Sequence, residues 1–164
     1  MDLVVNAGGF AQWDGRHMRC AIGRGGISTA KREGDGATPA GRFAMRFVLF
    51  RPDRETPPRT RLPSRALARD DGWCDGPGDR AYNRMIRLPY PASAEDLWRD
   101  DGRYDLIVPL GYNDVSVVPG AGSAIFLHLA APDFAPTAGC VALLRADLLT
   151  VLAAADSTSH VIVS

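Results

Sequence analysis

Apolar and polar positions alternate over short stretches of this chain and predict a protein built mainly from strands. Leu3 to Val5 is a short β-branched run, and Phe10 to Trp13 with Met18 to Ile22 flank Asp14-Gly15, a dipeptide suited to a type I′ hairpin turn. Phe43 to Phe50 sets Phe43, Met45, Phe47 and Leu49 against Ala44, Arg46 and Val48, which predicts one strand with one buried face. Further strands are expected at Arg84 to Leu88, Tyr104 to Leu110, Ala124 to Leu129, Val141 to Leu143 and His160 to Val163. One or two short helices are expected. Ser93 to Trp98 has Ser93 as N-cap and Asp96 as capping-box partner, and Ala146 to Ala155 has an acid, Asp147, in its first turn. The intervening stretches read as loops: Gly23 to Gly41, Arg51 to Pro63 with its four prolines, and Asp70 to Asp79 around Trp73-Cys74. With no repeat, linker or low-complexity tract, residues 1–164 read as a single domain.

Composition narrows the class. Hydrophobic residues make up 46% of the chain and the formal net charge is zero, as in ordinary globular proteins. Without a basic excess, no nucleic-acid partner is expected. Arg51 to Arg65 holds five arginines against Asp53 and Glu55, and reads as a solvated loop rather than an anion site. The apolar run Ala142 to Ala155 is broken by Arg145 and Asp147 and falls short of the ~18 residues of a membrane span, so no membrane insertion is expected. The first residues carry an acid, Asp2, and too short an apolar run for a signal peptide, which gives a cytoplasmic expectation for the chain as encoded.

The candidate chemistry lies between Ala124 and Leu143. His128 sits on an apolar strand, a Pro-bounded loop follows, and Gly139-Cys140 leads into the next apolar run. A thiol needs deprotonation to be a strong nucleophile, and an imidazole within reach is a base of suitable strength. Small Ala138 and Gly139 leave backbone N–H groups to face a developing oxyanion. Cys20 lies on an expected strand, and Cys74 is followed by Asp75, which opposes ionisation of the thiol. Cys140 has no adjacent acid. His17, after a hairpin turn, and His160, opening the last strand, fit exposed positions. Three cysteines without a C-x-x-C pair give neither a disulfide framework nor a zinc site, and no metal or cofactor is expected. There is no G-x-S-x-G elbow, and Gly23-Arg24-Gly25-Gly26 lacks the lysine and helix of a phosphate loop.

Around His128 and Cys140 the chain resembles the YkuD-type (ErfK/YbiS/YcfS/YnhG-like) L,D-transpeptidases, in which a strand His is followed by a loop and Ser/Thr-His-Gly-Cys. Upstream, Thr38-Pro39-Ala40-Gly41-Arg42-Phe43 is similar to the family's Thr-Pro-x-Gly-x-Phe segment. The resemblance implies a β-rich sandwich or partial barrel and a ping-pong acyl transfer. Cys140, deprotonated by His128, would attack a peptidoglycan tetrapeptide stem or muropeptide, release D-Ala, and pass the thioester to an amine or to water. Amides near Gly139 would hold the oxyanion. Transfer to water would make the protein an L,D-carboxypeptidase of cytoplasmic wall-peptide recycling. Loss of activity would leave a wall-binding module.

The departures are local. Ala138 stands where the family has its second His, Ala142 stands where an Arg commonly follows the Cys, and the His-to-Cys loop is shorter. The implied pocket is therefore reshaped. Thr137 and Ala138 would line it, Tyr112 and Asn113 would contact substrate, and Arg24, Arg84 or another arginine would replace the missing Arg. A monomer is expected, placed in the cell envelope if the family role holds.

Overall fold

The computed structural model describes all residues, Met1–Ser164. Its elements are β1 (Asp2–Asn6), β2 (Phe10–Trp13), β3 (Arg16–Ala21), β4 (Ile27–Ser28), β5 (Thr38–Pro39), β6 (Gly41–Ala44), β7 (Val48–Phe50), β8 (Ser64–Ala66), β9 (Asp71–Cys74), β10 (Met85–Arg87), β11 (Ala94–Asp96), β12 (Leu106–Pro109), β13 (Phe126–Leu129), β14 (Val141–Leu143), α1 (Arg145–Ala154) and β15 (His160–Val163). The fold is mainly β, with one helix and a large curled sheet. Ten strands form that sheet in the order β6-β15-β1-β2-β3-β14-β13-β12-β7-β8. A three-stranded sheet, β10-β9-β11, and the short pair β4-β5 complete it.

Period-two alternation along the central strands divides the interior and places the site. Leu106 and Val108 of β12 and Leu127 and Leu129 of β13 enter the main core, together with Leu3, Val5, Val141, Leu143 and the buried face of α1, Leu148, Val151 and Leu152. Ile107 and Phe126 point to the other face, where they meet Leu49, Trp73, Leu97, Tyr104 and Cys140 in a second, smaller cluster. His128 is two residues beyond Phe126 and shares its face. The small sheet, through Trp73 of β9 and Leu97 just after β11, covers this side.

The first hairpin forms as expected: Asp14 and Gly15 have φ of 48° and 76°, the two positive values a type I′ turn requires. Three expectations are corrected. Phe43 to Phe50 is two strands. Phe43 and Met45 face the main core, but so do Val48 and Phe50, so the alternation slips by one residue as the chain leaves the edge beside β15 and enters between β12 and β8. Ser93 to Trp98 is not a helix. Six residues cannot nucleate one unaided, and Ala94 to Asp96 instead pairs with β9, while Asp96 Oδ1 caps the amide of Trp98 at 2.8 Å. Asp71 to Cys74 is the middle strand of the small sheet rather than a loop. Its glycine, inside the stretch read as a loop, serves close packing: a Cβ on Gly72 would lie 2.9 Å from both Ile86 Cδ1 and Leu88 Cγ.

The Gly23 to Gly41 loop carries the small β4-β5 pair, and β8 had no sequence signal. Within the arginine-rich stretch, Arg51 is 3% exposed. Its guanidinium pairs with Asp53 at 2.8 Å and lies 3.8 Å over the Trp98 ring, and it donates to the carbonyl of Arg99. A residue read as solvated thus anchors the loop that approaches the site.

Candidate active site

β13 and β14 run parallel, with Leu127 opposite Val141 and His128 opposite Ala142. The same register sets Cys140, one residue before β14, beside Phe126, so His128 and Cys140 are diagonal neighbours on one face of the sheet. Both line a cavity of about 400 Å³, together with Arg24, Glu33, Asp75, Glu95, Arg99, Arg103, Tyr104, Thr137 and Ala138 among others.

The turn before Cys140 is tightly specified. Thr137 Oγ1 donates to the carbonyl of Cys140 at 2.6 Å and accepts the amide of Gly139 at 3.1 Å. The amide and carbonyl of Thr137 are tied to Ile22 O and Arg24 N, both at 2.9 Å. Thr38 Oγ1, which accepts the Gly23 amide at 2.8 Å, also reaches the Cys140 carbonyl at 3.5 Å. The two motif blocks of the sequence therefore meet at one carbonyl. Gly139 has φ of 139°, and a Cβ there would stand 2.8 Å from the Ala37 carbonyl, so only glycine fits. Because Thr137 occupies the Gly139 N–H, the amides of Ala138 and Cys140 are the ones left without a partner in the chain.

The thiol rests in a polar cradle. Cys140 Sγ donates to the Ala124 carbonyl at 3.3 Å and accepts the Phe126 amide at 3.4 Å. Ala124 has φ of 53°, unusual for a residue with a side chain, and its amide is held at 3.0 Å by Asn83 Oδ1. Burial and the nearby Glu95 push the Cys140 thiol up to about 12, with the Phe126 amide opposing them. His128 is 4% exposed and burial lowers its pKa to about 4, while its Nδ1 lies 2.9 Å from the Leu129 carbonyl. With Nδ1–H donating there, Nε2 is the unprotonated nitrogen. The resting pair is a neutral thiol and a neutral imidazole with no hydrogen bond between them, not a thiolate and an imidazolium. Catalytic hydrogen bonds commonly close only when substrate is seated.

The other thiols differ. Cys20 is pushed up to about 11 by burial alone, and Cys74 is raised by burial, with Asp79 and Asp75 adding to it. Neither lines this cavity.

Of the sequence-derived candidates, the structure brings together Cys140, His128, Thr137, Ala138 and Arg24. Gly139 shapes the turn from behind. Tyr112, Asn113 and Arg84 lie elsewhere. Tyr112 packs edge-on against Phe43, with ring centroids 5.5 Å apart, and Asn113 ties its own loop through Val118 and Gly122. Arg84 lines a separate depression with Arg46, Trp73 and Met85. Ala142, opposite His128, is 1% exposed and has no room for an arginine side chain. Arg24 is the cavity arginine without an acid partner, since Arg99 and Arg103 both pair with Asp101.

Sequence reasoning missed Glu95, Tyr104, Arg99 and Arg103. Tyr104 stacks edge-on against both Phe126 and His128 and donates its hydroxyl to Glu95. No motif marks these residues. The available signal was the alternation Ala94-Glu95-Asp96, which as a strand turns Glu95 away from its two neighbours.

The family model of the YkuD L,D-transpeptidase catalytic domain matches residues 4–163, and the chain belongs to that family. Members of that family act on peptidoglycan peptides. Among solved structures, the helical cell shape determining protein Pgp2 from Campylobacter jejuni and a mutant form of it are similar to this chain at 15% identity and a TM-score of 0.49. The alignment covers 99% of this chain and 46% of Pgp2, so the chain spans less than half the length of that protein. No curated protein matches. No helix is long and apolar enough to cross a membrane.

Proposed function

We propose that residues 1–164 form one catalytic domain, a Thr-Ala-Gly-Cys variant of the ErfK/YbiS type, that acts as a cysteine acyltransferase on peptidoglycan tetrapeptide stems. The observation that carries the reading is the shared cavity of Cys140 and His128, two side chains set on one face by the parallel β13-β14 register. Neutral His128 takes the thiol proton as Cys140 Sγ attacks the carbonyl of the diamino-acid L-centre. The unpartnered amides of Ala138 and Cys140 would receive the oxyanion, where one such donor is typically worth ~2.7–4 kcal/mol. Collapse of the tetrahedral intermediate expels D-Ala, which takes a proton from His128, and leaves a thioester on Cys140. An amine, or water, then resolves it. Arg24, free of acid partners, is the candidate for the substrate carboxylate in place of the arginine that Ala142 excludes.

A second reading is a non-catalytic wall-binding module, favoured by the thiol's attachment to Ala124 and its raised pKa. One experiment decides between them. The protein is incubated with a disaccharide tetrapeptide, with and without an added D-amino acid, and followed by mass spectrometry. Exchange product means transfer, tripeptide alone means L,D-carboxypeptidase activity, and absence of any acyl adduct on Cys140 leaves the binding module.

A further inference from the structure

The Ala124 carbonyl that receives the Cys140 thiol depends on a residue outside the cavity. Ala124 has a left-handed φ of 53°, which a residue with a side chain keeps only where its surroundings impose it. The contact on its amide is Asn83, whose Oδ1 accepts it at 3.0 Å. A return to negative φ would swing the Ala124 carbonyl away from Sγ.

Asn83 is buried between β9 and β10, where its own amide donates to the Cys74 carbonyl at 2.8 Å. Its side chain uses all four of its ordinary hydrogen-bonding positions. Oδ1 accepts the indole N–H of Trp73 at 2.9 Å as well as the Ala124 amide, and Nδ2 donates to the carbonyls of Tyr112 and Asn113 at 3.0 and 2.8 Å. Turned over, the group would set its NH2 against two donors and its oxygen against two carbonyls, so its neighbours fix its orientation. One side chain thus joins β9, the segment after β12 and the entry to β13. The preceding residue acts on the same segment: Tyr82 Oη accepts the Gly122 amide at 3.0 Å and donates to Glu33. Asn83 itself does not line the cavity of Cys140 and His128.

A cysteine side chain has one rotatable bond with three staggered positions, and its contacts choose among them. Sγ of Cys140 takes the position in which it donates to the Ala124 carbonyl and accepts the Phe126 amide. We infer that Asn83 is a positioning residue for the acyl transfer proposed above, on which this inference rests: by holding Ala124 in its left-handed conformation it aims the Ala124 carbonyl at Sγ and so sets where the Cys140 thiol points. The Phe126 amide, at 3.4 Å, is then the one remaining hydrogen-bonding contact on Sγ when Asn83 is removed. The thiol spreads over its other staggered positions, and fewer molecules present Sγ to a seated substrate.

The test compares wild-type protein with two variants. Asn83→Gly removes the side chain at a φ of 58° that glycine accepts, and Tyr82→Phe loosens the Gly122 and Glu33 contacts while leaving the Ala124 one. The infrared S–H stretching band of Cys140, isolated by subtracting the spectrum of the same protein carrying Cys140→Ala, reports the bond to the Ala124 carbonyl and needs no substrate. Timed mass spectrometry of Cys140 acylation over a range of disaccharide tetrapeptide concentrations separates the rate at saturation from the half-saturating concentration. Asn83→Gly should move the band to higher wavenumber, the direction of a lost hydrogen bond. It should also slow saturated acylation about ten- to a hundredfold, with half-saturation kept within about threefold. Tyr82→Phe should leave the band in place and the saturated rate within about threefold of wild type. An unmoved band in Asn83→Gly, an equal shift in Tyr82→Phe, or a loss confined to half-saturation overturns the inference. Should wild-type protein not be acylated, the acyltransferase reading fails by itself, and the infrared arm alone decides whether Asn83 aims the thiol. Thermal unfolding checks that both variants are folded, and Asn83→Ser, whose side chain falls short of the Ala124 amide, replaces Asn83→Gly if that protein is not.

Discussion

The rings of Tyr104 and His128 meet edge to face, with centroids 5.2 Å apart and planes at 75°, so the imidazole is held by an aromatic wall on one side and by the Leu129 carbonyl on its Nδ1. Tyr104 is 5% exposed, and Tyr104→Ala should cost roughly 3–5 kcal/mol in denaturant unfolding, as for other buried aromatics. Tyr104→Phe keeps the wall and removes only the hydroxyl that Glu95 accepts, for a cost of about 1–3 kcal/mol. Equal losses from the two substitutions would show that the hydroxyl, and not the ring, is what matters.

The depressed pKa of His128 makes stability depend on pH in a defined direction. Its pKa falls from 6.5 to about 4 on folding, so between those values the unfolded chain binds the extra proton. The contribution is fully present above pH 6.5, is lost as pH falls toward 4, and amounts to roughly 3 kcal/mol by the usual conversion of 1.36 kcal/mol per unit. Urea unfolding of wild-type and His128→Asn proteins at pH 7 and pH 4.5 reads this directly. The wild-type protein should lose stability between the two and the variant should lose markedly less.

The resting thiol should be slow. With its pKa near 12, Cys140 should react with iodoacetamide at pH 7.5 at least about a hundredfold more slowly than an exposed cysteine of ordinary pKa. Under the proposed function, a carbapenem that enters the cavity should nevertheless form an adduct confined to Cys140. Peptide mapping after both treatments checks the pair of expectations, and rapid alkylation of free Cys140 would contradict the neutral resting state.

Two small residues should respond in opposite ways. Gly139→Ala forces a methyl to within 2.8 Å of the Ala37 carbonyl at a φ of 139°, and should destabilise by about 1–3 kcal/mol while displacing the thiol. Ala124→Gly relieves a left-handed residue, so its stability should stay within about 1 kcal/mol of wild type or exceed it. Thermal melts of the two variants measured side by side test the contrast.

Thr137→Val keeps the shape of the side chain and removes the hydroxyl that serves both Gly139 N–H and the Cys140 carbonyl. Leaving these buried groups unpaired should cost about 1–3 kcal/mol. Thr137→Ser should restore most of it, as read by chemical denaturation.

What the sequence made legible was local. Asp14-Gly15 announced its hairpin, the alternation through Phe126 and His128 announced a strand, and Gly139-Cys140 after a Pro-bounded loop announced the turn. What it hid depended on distant partners. Gly72 reads as part of a loop until Ile86 and Leu88 are seen closing over it, and Ser93 to Trp98 looks helical until β9 supplies its hydrogen bonds. Glu95 and Tyr104 escaped notice for the same reason: a carboxylate and a phenol acquire meaning only when folding brings them beside Cys140 and His128.

The turn that holds Cys140 is tied to Thr38, 102 positions earlier, and to Ile22 earlier still, while β15 closes the large sheet by inserting between β1 and β6. Contacts of such wide sequence separation form late in folding. A partly folded or nicked chain therefore carries the thiol and the imidazole without their geometry. Its thiol, no longer raised by burial, alkylates faster than the folded one, whereas any acyl transfer of the proposed kind at Cys140 counts only molecules whose chain has closed from end to end.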